Sequence, residues 1–375
     1  MVAAFPPSRD EPAATAGRGR RECGVVPGDT ILGKALVSRE RVLRAIRRGE
    51  IDRVPMRYNG RPEVDEALAR YLGIPMADNW HEHMMRELGI DVRNVSPPAP
   101  KRSPGPVNDG LPPARGLREP AEVLAALEAS PGESSSPENV DSEPLIEQVR
   151  HFDSAGDPPW LTLRVSGPWS YADELIGLER TLIALAEADE AMSRVFDHLT
   201  DRICALVGST AGVLGDRLDM VYLADDLGTQ RGPLISPAMV ARTLMPLYRR
   251  IVERVHAAGA VFCMHCCGAI HDLIPQFIDA GVDVVNPLQP CAADMQPEVL
   301  ARDFGGCVAF CGGIDMQHLL PFGTPQQVAD EVRRYIRALG LHGGYVLDSA
   351  NILHTDVPPA NIEAMFRAGR ECRLN

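Results

Sequence analysis

Eight short apolar runs, most of them separated by stretches of helical periodicity, constrain this 375-residue chain more than any other feature. They are "RVPMRYN" (53–59), "DVRNVSP" (91–97), "LTLRVSG" (161–167), "DMVYLADD" (219–226), "AVFCMHC" (260–266), "DVVNPLQ" (283–289), "VAFCGGI" (308–314) and "YVLDSAN" (345–351). Runs of that length bounded by turn residues suit buried strands. The spacer "SPAMVARTLMPLYRRIVERVHAAG" opens on a Ser-Pro start signal, and it and "TPQQVADEVRRYIRALG" both end in Gly, a helix stop. Strands alternating with helices build a parallel sheet. Eight such units in one chain predict an α/β fold, a closed (β/α)8 TIM barrel. A doubly wound open sheet is the runner-up. It lacks the glycine-rich turn after an early strand that dinucleotide binding would want.

The remaining segments set the organisation. Residues 1–30 are rich in Pro, Gly, Ala and Arg without apolar periodicity, which predicts a disordered tail. Residues 31–375 then form one barrel domain with a polar insertion at about 98–144. Breakers are dense there, apart from one short helical stretch, so a long connection or lid is expected.

A formal charge of −13 disfavours nucleic acid or an anionic membrane as partner, and local basic runs such as "GRGRR" do not reverse it. No apolar run reaches the roughly 18 residues of a membrane span. The first residues show no apolar core of a secretory signal. Nine scattered cysteines, an odd number, argue for reduced thiols rather than a disulfide framework. The expectation is a cytoplasmic protein acting on a small molecule.

Function in a barrel gathers where strands run into the following loops. There the stretch "FCMHCCGAIHDL" (262–273) places His265 and Cys267 two apart, hence on one face, with Cys266 on the other. An imidazole and a thiolate on one face suit zinc. Gly268 lets the chain turn away. The same residues also suit a buried strand, since cysteine is among the most buried types. Other strand ends add polar groups. Asp225, Asp226, Gln230 and Arg231 follow the fourth run, and Cys311, Gly312, Gly313 and Asp315 the seventh. Asp348, Ser349, Asn351 and His354 follow the eighth. Adjacent carboxylates such as Asp225 and Asp226 can do acid–base work or cap a helix. Tyr171 and Trp169 are candidates for an apolar pocket wall.

The segments "RVLRAIRRGEIDRVP", "ADDLGTQRGPLISPAMVARTLMPLYRRI", "HCCGAIHDLIPQFIDAGVDVVNPLQ", "CGGIDMQHLLPFGTPQQVADEV" and "GGYVLDSANILHTDVPPANIEAM" resemble, in order and spacing, the uroporphyrinogen decarboxylase superfamily over about 39–368. The resemblance implies a (β/α)8 barrel and one of two chemistries. The decarboxylases use two arginines, an aspartate, a tyrosine and a histidine without metal. "MRYNGR" supplies Arg57 and Arg61 at the right mutual spacing, but directly after Pro55. The tyrosine position falls on Glu174, three beyond Tyr171, and the histidine position on Asn351. The superfamily's methylcobalamin-dependent methyltransferases bind zinc through His-x-Cys and a later Cys. Here that implies His265 and Cys267, with the later cysteine again replaced by Asn351 and Cys311 as the candidate substitute.

The functional expectation is a zinc-dependent one-carbon (methyl) transferase with metal ligands His265, Cys267 and Cys311. Asp226, Gln230 and Asp225 are its candidate catalytic groups. Arg57, Arg61, Tyr171, Asn351 and Asp315 are its candidate substrate contacts. Without an Asp-x-His-x-x-Gly corrinoid motif in the chain, methylcobalamin would arrive on a partner corrinoid protein. A homodimer is left open. The rivals are a metal-free decarboxylase working through Arg57, Arg61 and Asp226, and a non-enzymatic binding barrel.

Overall fold

The computed structural model describes residues 35–97, 119–129, 142–154 and 156–372. The expected tail and most of the expected insertion lie outside these residues. Within the insertion, the helical stretch forms a helix at Pro120–Ala129.

Seven strands lie in one parallel sheet in chain order. They are β1 (Val92–Val95), β2 (Trp160–Ser166), β3 (Met220–Ala224), β4 (Val261–His265), β5 (Val284–Asn286), β6 (Ala309–Cys311) and β7 (Tyr345–Val346). Helices fill most of the spacers, and their starts follow the sequence signals. Ser236 caps the helix Pro237–Thr243 by accepting from Met239 N at 3.2 Å. Thr324 and Gln327 form a reciprocal capping box at Pro325–Tyr335. The long spacer after β3 is two helices rather than one. Pro246 begins the second, Met245–Ala257, where a proline costs no intrahelical bond.

The first predicted strand, 53–59, is reduced to isolated bridges such as Met56 against Leu347. Pro55 has no N–H to give a ladder, so a longer pairing there is blocked. The segment still closes the ring. Arg57 N donates to Leu347 O at 2.9 Å, and Asp91 N donates to Met56 O at 2.9 Å on the other side. The ring is thus closed through isolated bridges, Met56 to Leu347 and Gly60 to Leu353, rather than through a full strand.

Strand parity sorts side chains between two cores. Trp160, Tyr222, Cys263, Val284, Cys311 and Val346 pack together inside the ring. Phe262, Met264 and Cys266 alternate with these on β4 and its extension, and they pack outward under the helices. His265 and Cys267 thus follow Cys263 on the inward parity, at the strand's carboxyl end. Among the described residues no helix is long and apolar enough to cross a membrane.

Candidate metal centre at the barrel mouth

Register between β3 and β4 builds the site. Ala224 pairs with His265, so Asp226 and Cys267, each two residues further, arrive level with one another. Asp225 N donates to His265 O at 2.8 Å, and Cys267 N donates to Asp226 Oδ1 at 2.8 Å. The two loops then touch backbone to backbone. Gly268 has φ +93°, and a side chain there would sit 2.6 Å from the carbonyl carbon of Gly228. Only glycine meets both demands. Ala269 N donates to Thr229 O at 2.7 Å, locking the pair of loops.

His265 Nε2 lies 3.4 Å from Cys267 Sγ and 3.7 Å from Asp226 Oδ1. One donor atom from each of the three residues falls within 4.8 Å of the others. Zinc bonds of ordinary length at tetrahedral angles put their ligand atoms about 3.3–3.6 Å apart, so the set is near coordinating size. Its chemistry also asks for a cation. Burial and the Asp226 carboxylate push the Cys267 thiol well above its ordinary range, and a dication would reverse that balance.

The imidazole is held in a defined tautomer. Asn286 Nδ2 donates to Cys311 O at 3.1 Å, which fixes the Asn286 oxygen toward His265 Nδ1 at 2.7 Å. An amide oxygen can only accept, so this contact favours the proton on Nδ1, where the Tyr222 hydroxyl also meets the ring, and leaves the Nε2 lone pair facing Cys267 and Asp226. Tyr222 supports the arrangement by donating to the same Asn286 oxygen at 2.8 Å. Burial first, with the charges of Arg164 and Arg57 adding, lowers the His265 pKa against the opposing pull of Asp226. A neutral ring is the ligand form.

The structure brings Asp226, and not the expected Cys311, beside His265 and Cys267. Cys311 is 3% exposed, packed in the inner core, and is not part of the donor cluster. Its strand, β6, is separated from β4 by β5, whereas Asp226 follows the adjoining strand, β3. Burial and Asp348 push the Cys311 thiol up to about 12. Asn351 lies beside the cluster, with Nδ2 3.6 Å from Cys267 Sγ.

The other candidates scatter. Asp225 is fully buried and accepts from Ser170 N at 2.7 Å, Trp169 N at 3.2 Å and Tyr248 Oη at 2.9 Å. It caps the start of the helix Pro168–Ile176 from a neighbouring loop rather than facing the mouth. Burial pushes its pKa up to about 7. Tyr171 lies in the outer core on that helix, 4% exposed. Gln230 is exposed, and its carbonyl accepts from Ala293 N at 3.1 Å. Arg61 is exposed at the start of the helix Pro62–Tyr71. Arg57 is buried and forms an ion pair with buried Asp348, while its Nε and Nη2 have no hydrogen-bond partner among the described residues. Asp315 joins Cys291 and His318 in another loop cluster. The glycines after β6 admit the protein's own ring: a side chain on Gly313 would meet Tyr335 at 2.2 Å.

Sequence reading missed three groups. Asn286 and Gln289, which accepts from Gly268 N at 2.9 Å, need the β4–β5 register to be seen. Arg164 stands 4.9 Å over the Tyr222 ring and remains open to solvent, with no ion pair among the described residues. A lone arginine inside a strand of otherwise apolar pattern was its one available signal.

Comparison with known proteins agrees with this architecture. A methyltransferase structure from Methanosarcina mazei superposes with a TM-score of 0.62 at 16% identity, covering 90% of this chain and 99% of that one. A methylated-thiol–coenzyme M methyltransferase of Methanosarcina mazei is 24% identical over 208 residues, 55% of this chain and 52% of its own length. A uroporphyrinogen decarboxylase of Magnetococcus marinus is 23% identical over 220 residues, 54% of this chain and 56% of its own length. The chain thus spans about half the length of the curated relatives it matches. The family model described as uroporphyrinogen decarboxylase matches residues 134–372. With that match over more than half its length, the chain belongs to the uroporphyrinogen decarboxylase family.

Proposed function

We propose that this protein is an enzyme that transfers a methyl group to a thiol, using zinc held by Asp226, His265 and Cys267. The observation carrying this reading is that cluster: three mixed donors of near-coordinating spacing, with the imidazole tautomer fixed by Asn286. Likeness to the methylated-thiol–coenzyme M methyltransferase supports it. Zinc bound there would act as a Lewis acid that favours the thiolate of the acceptor. His265 presents Nε2, Cys267 its sulfur and Asp226 a carboxylate oxygen, while Asn351 turns its amide toward the Cys267 sulfur. The acceptor proton leaves to water. The sulfur–carbon bond forms as the bond from methyl to its donor breaks, the electron pair staying on the donor. A corrinoid carried by a separate protein is the proposed donor.

Arg164 is suited to anchor an anionic group on the acceptor, since its guanidinium stacks on Tyr222 with no carboxylate among the described residues engaged. Arg164→Ala should raise KM for an anionic thiol about 10–30-fold with little change in kcat, the signature of lost binding common to ground and transition states. Equal loss in kcat would exclude this role.

Elemental analysis tests the whole reading. The purified chain should carry zinc at this site, and chelation should abolish methyl transfer from methylcobalamin to a thiol. Zinc content unchanged in His265→Ala would overturn it. Asn351→Cys should tighten zinc on the order of tenfold or more, because a thiolate beside Cys267 completes a softer donor set. Competition with a chromophoric chelator measures this. The decarboxylase reading has less support here, since the Arg57 charge is already matched by Asp348 and Arg61 lies exposed.

A further inference from the structure

A second group of unlike donors lies farther round the same rim. Cys291 belongs to the loop after β5, and Asp315 and His318 to the loop after β6. Cys291 Sγ is 3.5 Å from Asp315 Oδ1 and 3.6 Å from His318 Nδ1. His318 Nδ1 is 3.4 Å from Asp315 Oδ2. Tetrahedral zinc with bonds of about 2.3 Å to sulfur and about 2.0–2.1 Å to nitrogen and oxygen would place sulfur about 3.5–3.6 Å from either of the other donors, and nitrogen about 3.3–3.4 Å from oxygen. The observed separations match in size, with Cys291 meeting Oδ1 of the Asp315 carboxylate and His318 meeting Oδ2; one donor atom from each residue lies within 4.8 Å of the others.

A turn-capping role explains part of this. Asp315 Oδ1 accepts from Gln317 N at 2.7 Å and Oδ2 from Leu319 N at 3.2 Å. Those bonds hold the carboxylate and keep His318 near it. They do not account for Cys291, which arrives from another loop, 24 residues away in sequence, and brings a soft donor to the edge of a fixed hard one. The backbone bonds also act as the outer support that orients a ligating carboxylate.

We propose that Cys291, Asp315 and His318 form a second metal site, selective for a borderline divalent ion such as zinc. Three protein donors leave one position for water or a substrate atom, the pattern of an exchangeable site rather than a closed structural one. Cys291 and Asp315 line a cleft of about 230 Å³. Asn351 lines it too, and its amide contacts the Cys267 sulfur. An ion held here would therefore face the cleft whose wall reaches the first cluster. Mixed sulfur, nitrogen and oxygen donors disfavour magnesium and calcium, which take oxygen alone. The inference rests on these three residues and does not depend on the proposed methyl transfer.

The test uses the full chain, kept reduced, stripped with a chelator and reloaded with zinc. Elemental analysis should give two zinc ions per chain, falling to one in Cys291→Ser, one in Cys267→Ser and none in the double variant. His318→Ala, an exposed change that leaves both thiols, should weaken the same ion at least tenfold in competition with a chromophoric chelator. Cobalt substitution should give separate thiolate absorption bands, one lost with each cysteine. Stoichiometry untouched by both Cys291→Ser and His318→Ala overturns the second site and leaves the first standing. Zinc lost only with Cys291 supports it and instead removes the basis of the proposed function.

Discussion

Cys267→Ala is expected to lower metal-dependent methyl transfer by at least about a thousandfold, with little change in thermal stability. Removing the sulfur leaves His265 and an exposed Asp226, too few donors to hold zinc in a working geometry. Lewis-acid activation supplies several kcal/mol of charge stabilisation, which corresponds to that loss of rate. The fold should survive because Cys267 is only half-buried and stands at a strand's open end. Cys266→Ala is the control. Its sulfur faces the outer core and accepts from Leu227 N at 3.2 Å, so that change should cost stability and spare the metal. Steady-state kinetics with zinc analysis on both variants decides the matter. Full turnover in Cys267→Ala would remove the metal from the chemistry.

Arg57→Ala carries the largest expected effect on stability, a loss of about 3–5 kcal/mol, because it strands the Asp348 carboxylate in the interior. The pair also joins the reduced first strand to the end of β7, where Arg57 N donates to Leu347 O at 2.9 Å. A guanidinium chloride titration should show a lower midpoint at an unchanged slope. The pH dependence has a definite sign. Burial already raises Asp348 above the ordinary carboxylate range, and losing Arg57 removes the next largest influence, one that lowers it. A carboxyl raised in the folded state contributes stability that is present below its unfolded value, about 3.9, and is lost as pH rises through the folded one. The parent loses this contribution too, but Arg57→Ala goes on losing it after the parent's Asp348 has ionised. Its deficit should therefore widen as pH rises above the parent's folded Asp348 pKa, itself above the ordinary carboxylate value. The double variant Arg57→Ala, Asp348→Ala should lose less than the sum of the singles. A single-variant cost below about 1 kcal/mol would mean that the pair is solvated.

The barrel and the inward parity of His265 and Cys267 were readable from the chain itself. Apolar periodicity and two-residue alternation are local, and local steric rules act on any stretch regardless of what lies beside it. The first strand is overread by the same rules: 53–59 reads as a strand like the rest, although Pro55 carries the signal against a full ladder.

Which donors meet was decided only by tertiary structure. Asp226 rather than Cys311 stands beside His265 because Ala224 pairs with His265 while β5 intervenes before β6. Asp225, adjacent in sequence to Asp226, turns outward to cap a helix, so neighbours in the chain part company at the site. Asn286 fixes the imidazole, and Cys291 reaches Asp315 and His318, through contacts spanning more than twenty residues. Cross-strand register depends on how every strand and helix packs at once, and no window along one strand contains it. The sequence therefore determined which side chains could face the mouth. The closed ring determined which of them face each other.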